Sequence, residues 1–150
     1  MFHKILVPLD GSALAERALG PAIRLAKQFG GEMIWLRVVV PEPVLVALPG
    51  LSPRPYDVYD AELRHDQDEA KAYLSGLKLQ WHGAGVITHT EVLSGAPAEM
   101  IVDAAQGRGV DLIVMSTHGR SGVSRLLYGS VAEAVLRGAH LPILLIPLDR

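Results

Sequence analysis

Short apolar runs recur along this chain, and segments of helical period separate them. FHKILVPL at 2–9 has a β-branched centre, and Met33–Val40, Asp111–Met115 and Ile143–Ile146 are further runs of this kind. A run of four to eight apolar residues bounded by turn residues is a strand covered on both faces. Between the first two runs, Leu14, Ala15, Ala18, Leu19, Ala22, Leu25, Ala26 and Phe29 recur at helical spacing up to Gly30-Gly31. Tyr56 to about His82 is helical and heavily charged, with Leu63, Ala70, Tyr73, Leu74 and Leu77 as its inward stripe. Pro97 suits the first turn of a helix over roughly 97–106, and a last helix spans Val131–Arg137. Val86–Leu93 mixes apolar with polar residues and reads as an edge strand. Strands alternating with helices imply a mostly parallel sheet, helices on both faces and right-handed crossovers. The first, second and fourth strands belong in its centre.

Residues 41–55 hold five prolines and read as a long exposed loop. No linker or internal repeat divides the chain, and 150 residues suffice for one core, so a single domain over 1–150 is expected. A net charge of −2 argues against a nucleic-acid surface, and the absence of cysteine excludes disulfides, thiolate metal sites and cysteine nucleophiles. The N-terminus has no signal-peptide pattern, and apolar runs stop at about eight residues where a bilayer span needs roughly 20. A cytoplasmic protein is expected.

In parallel α/β sheets, ligands sit beyond the carboxyl ends of the strands where the strand order reverses. Two loops belong there, Asp10-Gly11-Ser12 and 116–130. The second, in MSTHGRSGVSRLLYGSVAEAVL at 115–136, combines Gly119, Gly122 and Gly129 with Arg120 and Arg125, then opens a helix at Gly129-Ser130. Glycines admit close backbone approach, and a helix N-terminus offers amides and a positive dipole to an anion. Ser130 to Glu133 has the spacing of a capping box, with Ser130 as the cap. The same residues also fit a plain turn before a capped helix. Neither a Walker loop nor a dinucleotide fingerprint is present. His118 beside Gly119 reads as a loop or phosphate contact, and the other histidines have no metal-ligand spacing. The acids Asp57, Asp60, Glu62, Asp66, Asp68 and Glu69 read as a solvated helix face.

These residues resemble the universal stress proteins, whose ATP-binding members carry G-x2-G-x9-G-[ST] after the fourth strand. Gly119, nine residues, then Gly129-Ser130 match its second half, and Ser116 stands at its first glycine. KILVPLDGS at the start and GSVAEAVLRGAHLPILLIP at the end are similar to the family's opening and closing segments, so the resemblance covers essentially the whole chain. It implies a three-layer α/β/α fold with sheet order 3-2-1-4-5, of the adenine-nucleotide alpha-hydrolase-like kind. It also implies ATP, with Mg²⁺, between the first and fourth strands. Pro8 and Asp10 would line the floor, with Asp10 on the ribose hydroxyls or helping to hold a metal. The Val38 backbone would meet the adenine edge, with Met115 packed nearby. The 116–122 backbone, including Ser116, His118, Gly119, Arg120 and Gly122, would hold the phosphates with Gly129, Ser130 and Val131. Asp10 also fits a simple Asx turn with Gly11-Ser12, and Pro8 and Val38 also fit plain strand positions.

The function this implies is a nucleotide-dependent stress-response or signalling module with at most slow ATP hydrolysis or autophosphorylation. An efficient phosphotransferase needs a lysine at the phosphates, an acidic metal pair and a base. A serine hydrolase elbow is absent, as is the acidic cluster of a phosphoacceptor regulator. The rival within the family is a member that binds no ATP and acts by dimerisation and partner contact. The apolar edge strand Ile143, Leu144, Leu145 and Ile146 calls for a partner. By the resemblance, it pairs with the same strand of a second subunit, giving a homodimer.

Overall fold

The computed structural model describes residues 1–41, 56–118 and 128–147. The proline-rich segment beyond Pro41 and the residues Gly119, Arg120, Gly122 and Arg125 lie outside the described residues. Strand β1 (Lys4–Pro8) leads into helices α1 (Ala13–Glu16) and α2 (Leu19–Phe29), then β2 (Glu32–Val39). Helix α3 (Tyr56–Gln80) and a 3-10 turn at His82–Ala84 precede β3 (Thr88–Ser94) and α4 (Pro97–Gly107). The chain then forms β4 (Leu112–Ser116), α5 (Ser130–Gly138) and β5 (Ile143–Ile146).

The five strands form one sheet in the order β3-β2-β1-β4-β5, with every neighbouring pair parallel. This is the expected α/β topology, with the mixed-polarity strand β3 and the short strand β5 at the edges. Side chains alternate across the central strands and build two cores. On one face Ile5, Val7 and Trp35 pack with Leu19 of α2 and Leu74 and Leu77 of α3. On the other, Leu6, Leu36 and Ile113 pack with Ile101 and Ala105 of α4 and Val135 of α5. At the amino end of the sheet Asp111 accepts the His3 N–H at 2.8 Å, and Glu32 bridges Lys4 and His89 at 3.1 and 3.2 Å. Among the described residues no helix is long and apolar enough to cross a membrane.

The helix expected over 14–29 is two helices, broken at Arg17-Ala18. The cause is Pro21, which has no N–H to offer the Arg17 carbonyl four residues back and whose ring crowds that carbonyl. Tight bonds close the break, from Arg17 N to Leu14 O at 3.3 Å and from Ala18 N to Ala15 O at 3.1 Å. Helix α2 ends as its glycines suggest. Gly30 adopts a left-handed φ of 62°, and the Gly31 N–H returns to the Ala26 carbonyl at 2.8 Å.

Gly31 has a second constraint, because a Cβ there would lie 2.7 Å from the Phe2 carbonyl oxygen and 2.9 Å from that of His3. Gly76, exposed in α3, has nothing within 4 Å of its would-be Cβ. Two glycine-to-alanine changes therefore have opposite signs in urea unfolding. Gly31→Ala lowers stability by about 1–3 kcal/mol through overpacking against backbone. Gly76→Ala raises it by about 1 kcal/mol through helix propensity.

Candidate nucleotide site at the carboxyl edge of the sheet

A cavity of about 640 Å³ opens where β1 and β4 end side by side, at the point where the chain turns from building one half of the sheet to the other. Pro8 and Asp10 line it from β1, Arg37 and Val38 from β2, and Met115, Ser116, Thr117 and His118 from the end of β4. Gly129, Ser130 and Val131 close it at the start of α5. Its two sides differ because successive residues of β2 point to opposite faces of the sheet. Leu36, Val38, Ile101 and Met115 make an apolar wall towards α4 and α5. Asp10, Arg37, Asp66, Glu69 and Tyr73 make a polar wall towards α1 and α3.

Asp10 builds a turn. Its Oδ1 accepts the Ser12 N–H at 2.9 Å and the Ser12 hydroxyl at 2.5 Å. Gly11 between them takes a φ of 83°, where a side chain is strained. The Ser12 Oγ in turn accepts the Ala15 N–H at 3.1 Å and caps α1. Tyr73 of α3 donates its hydroxyl to Glu16 Oε1 at 2.8 Å. Burial first, and then this bond to a carboxylate, push the Tyr73 phenol well above its ordinary pKa of 10.

At the tip of β4, Ser116 and Thr117 are buried, and the Thr117 N–H reaches the Ile146 carbonyl at 3.0 Å. The Ser116 hydroxyl donates to the His118 carbonyl and accepts the His118 N–H at 3.2 Å. Thr117 Oγ1 lies 3.0 Å from His118 Nδ1. The chain that returns to start α5 meets this tip through a backbone bond, from Gly129 N to Thr117 O at 2.6 Å. A Cβ on Gly129 would stand 3.1 Å from the same oxygen. The first turn of α5 has no side-chain cap, and its residues line the cavity. Such a turn presents unsatisfied amides and the positive end of the helix dipole.

The family model of the universal stress proteins matches residues 1–147. This chain belongs to the universal stress protein family. Universal stress protein MJ0531 of Methanocaldococcus jannaschii is 38% identical to it over 146 residues, covering 97% of this chain and 82% of the relative. The solved structure of MJ0577, from the same archaeon, superposes with a TM-score of 0.84 at 28% identity, covering 100% of this chain and 99% of the other. A universal stress protein from Archaeoglobus fulgidus, solved in complex with dAMP, superposes with a TM-score of 0.66 at 25% identity, covering 97% and 98% of the two chains.

The structure brings Pro8, Asp10, Val38, Met115, Ser116, His118, Gly129, Ser130 and Val131 to this one cavity. Gly119, Arg120 and Gly122 fall outside the described residues. One local expectation is overturned. Ser130 does not cap α5: Gly129 is the N-cap, its carbonyl accepts the Glu133 N–H at 2.9 Å, and Ser130 is the first helical residue. The close fit of Gly129 against Thr117 sets the helix start one residue earlier than the S-x-x-E spacing does.

Four residues escaped the sequence reading, namely Arg37, Asp66, Glu69 and Tyr73. Arg37 carried a usable signal, a charge near the carboxyl end of an otherwise apolar strand. The acidic run reads as solvated, and Asp66 and Glu69 are indeed exposed, but both stand at the cavity. They continue the stripe of Ala70 and Tyr73 towards the start of α3. Among the described residues, three carboxylates and one guanidinium line the cavity.

The raised Tyr73 phenol has a defined pH consequence. A group whose folded pKa lies above its unfolded value contributes stability that is complete below the unfolded value, here 10, and is lost as pH rises beyond it. In urea unfolding the advantage of wild type over Tyr73→Phe is therefore level below pH 10 and shrinks above it. A gap that stays constant into alkali contradicts the assigned environment.

Proposed function

We propose that this universal stress protein binds an adenine nucleotide, ATP with Mg²⁺, in the cavity between β1 and β4. We propose further that it works as a nucleotide-dependent signalling module with little or no catalysis. The observation that carries this reading is the Gly129–Thr117 backbone contact, which turns the uncapped start of α5 towards a cavity with one apolar and one polar wall. The amides of Gly129, Ser130 and Val131 suit phosphate oxygens. The apolar wall of Val38, Met115 and Pro8 suits a purine, and Asp10 suits the ribose hydroxyls. The complex of the Archaeoglobus relative with dAMP agrees with a ligand of this class. Among the described residues no three His, Asp or Glu side chains gather as a metal site, so in this reading Mg²⁺ arrives on the phosphates. Nucleotide occupancy would be the signal, and the protein surface around the cavity its output.

Calorimetric titration with Mg·ATP tests the reading. Wild type binds in the micromolar range, and Gly129→Ala binds at least about tenfold more weakly, a loss of about 1.4 kcal/mol. No heat at millimolar Mg·ATP, from folded protein stripped of nucleotide, refutes it and leaves a partner-contact module.

The functional unit proposed is a homodimer joined through β5. This strand pairs with β4 on one side, and Leu144 at its centre is 36% exposed. A short apolar edge is a template for a second strand unless it is covered. Sedimentation velocity of the wild type gives a dimer, and Leu144→Lys shifts it towards monomer with the helical circular dichroism retained. A monomeric wild type at all concentrations rules the assembly out.

A further inference from the structure

We propose that Tyr73 is a positioning residue for the cavity, clamping α1 to α3 so that the Asp10 turn keeps its geometry. This rests on the nucleotide reading only for its effect on affinity. Helix α1 has four residues, far below the length at which a helix holds itself together. The Pro21 break separates it from α2, so it is not stiffened as the first turn of a longer rod. Its amino end carries the chain of bonds that shapes the cavity floor, from Ala15 N to Ser12 Oγ and from Ser12 N and Oγ to Asp10 Oδ1. Its last residue, Glu16, reaches out of the local chain to the Tyr73 hydroxyl, 57 positions away.

Tyr73 is well placed to anchor that end. It sits between Ala70 and Leu74, which are 4% and 1% exposed, in the part of α3 seated on the sheet. It packs at the edge of the core and lines the cavity. Phenylalanine would fill the same volume. The hydroxyl adds only the bond to Glu16, and a half-buried hydroxyl left without a partner is unfavourable. Asp10, Arg37 and Tyr73 line the same cavity, so the clamp stands beside its floor. Tyr73 thus fixes α1 from above as Ser12 fixes it from within.

Two measurements on the full chain test this. The first needs no ligand: hydrogen exchange of the Ser12 and Ala15 amides, with the central β4 amides as an internal control. Tyr73→Phe and Glu16→Ala each speed exchange at Ser12 and Ala15 about three- to tenfold and leave Ile113 and Val114 unchanged. Glu16→Gln, which keeps an oxygen acceptor, stays near wild type. The second is the affinity for Mg·ATP. Tyr73→Phe weakens it about three- to tenfold, and the loss disappears when Asp10 is already Ala, because the two residues act through one turn. Unchanged exchange in Tyr73→Phe overturns the clamp, whatever the protein binds. An affinity loss that simply adds to that of Asp10→Ala overturns the link to Asp10. Faster exchange in a protein that binds no nucleotide at all supports the clamp and strikes down the nucleotide reading instead.

Discussion

Parallel strands cannot be joined by tight turns, so each must return across the sheet through a crossover before the next begins. That constraint organises the molecule. It puts helices on both faces and makes the central strands apolar throughout. It also sends the carboxyl ends of all five strands to one edge. At that edge β1 and β4 are neighbours in the sheet, although everything from α1 to α4 lies between them in the chain. The crossovers that follow them leave to opposite faces, and a cavity opens between.

Backbone contacts finish what the topology begins. The amide of Gly129 meets the carbonyl of Thr117, and side-chain-free geometry there lets the start of α5 press against the tip of β4. A larger residue would hold the helix away from the strand and move its first amides out of line with the cavity. Ser116 serves the same end by another route, since its hydroxyl is tied to both backbone groups of His118. A serine at this position folds its side chain back on its own turn.

The polar wall has a different origin. Helix α3 is longer than the strands it covers, so its inward stripe changes character along its length. Leu74 and Leu77 lie over the sheet and are buried. Ala70 is buried as well, while Tyr73, Asp66 and Glu69 line the cavity. No property of the isolated stripe says which of its residues face a cavity. For that reason two carboxylates that read as plain surface line the cavity, while Arg64 pairs with Asp60 at 2.6 Å and Lys71 with Asp68 at 3.5 Å along the helix.

The amino-acid sequence by itself determined the layered parallel architecture, the edge position of β3 and the pair of loops at the cavity. These follow from local periodicity and from handedness rules that need no knowledge of contacts. The break at Arg17-Ala18 escaped that reading, although its cause is local, since Pro21 acts on a carbonyl only four residues away. Tertiary structure alone decided the rest: that Gly129 rather than Ser130 caps α5, that Arg37 and the α3 acids share one cavity, and that Glu16 meets Tyr73. Each of these depends on a distance between residues remote in the chain. Such distances are set by how the whole sheet twists and how its helices seat, and no short window of sequence contains them.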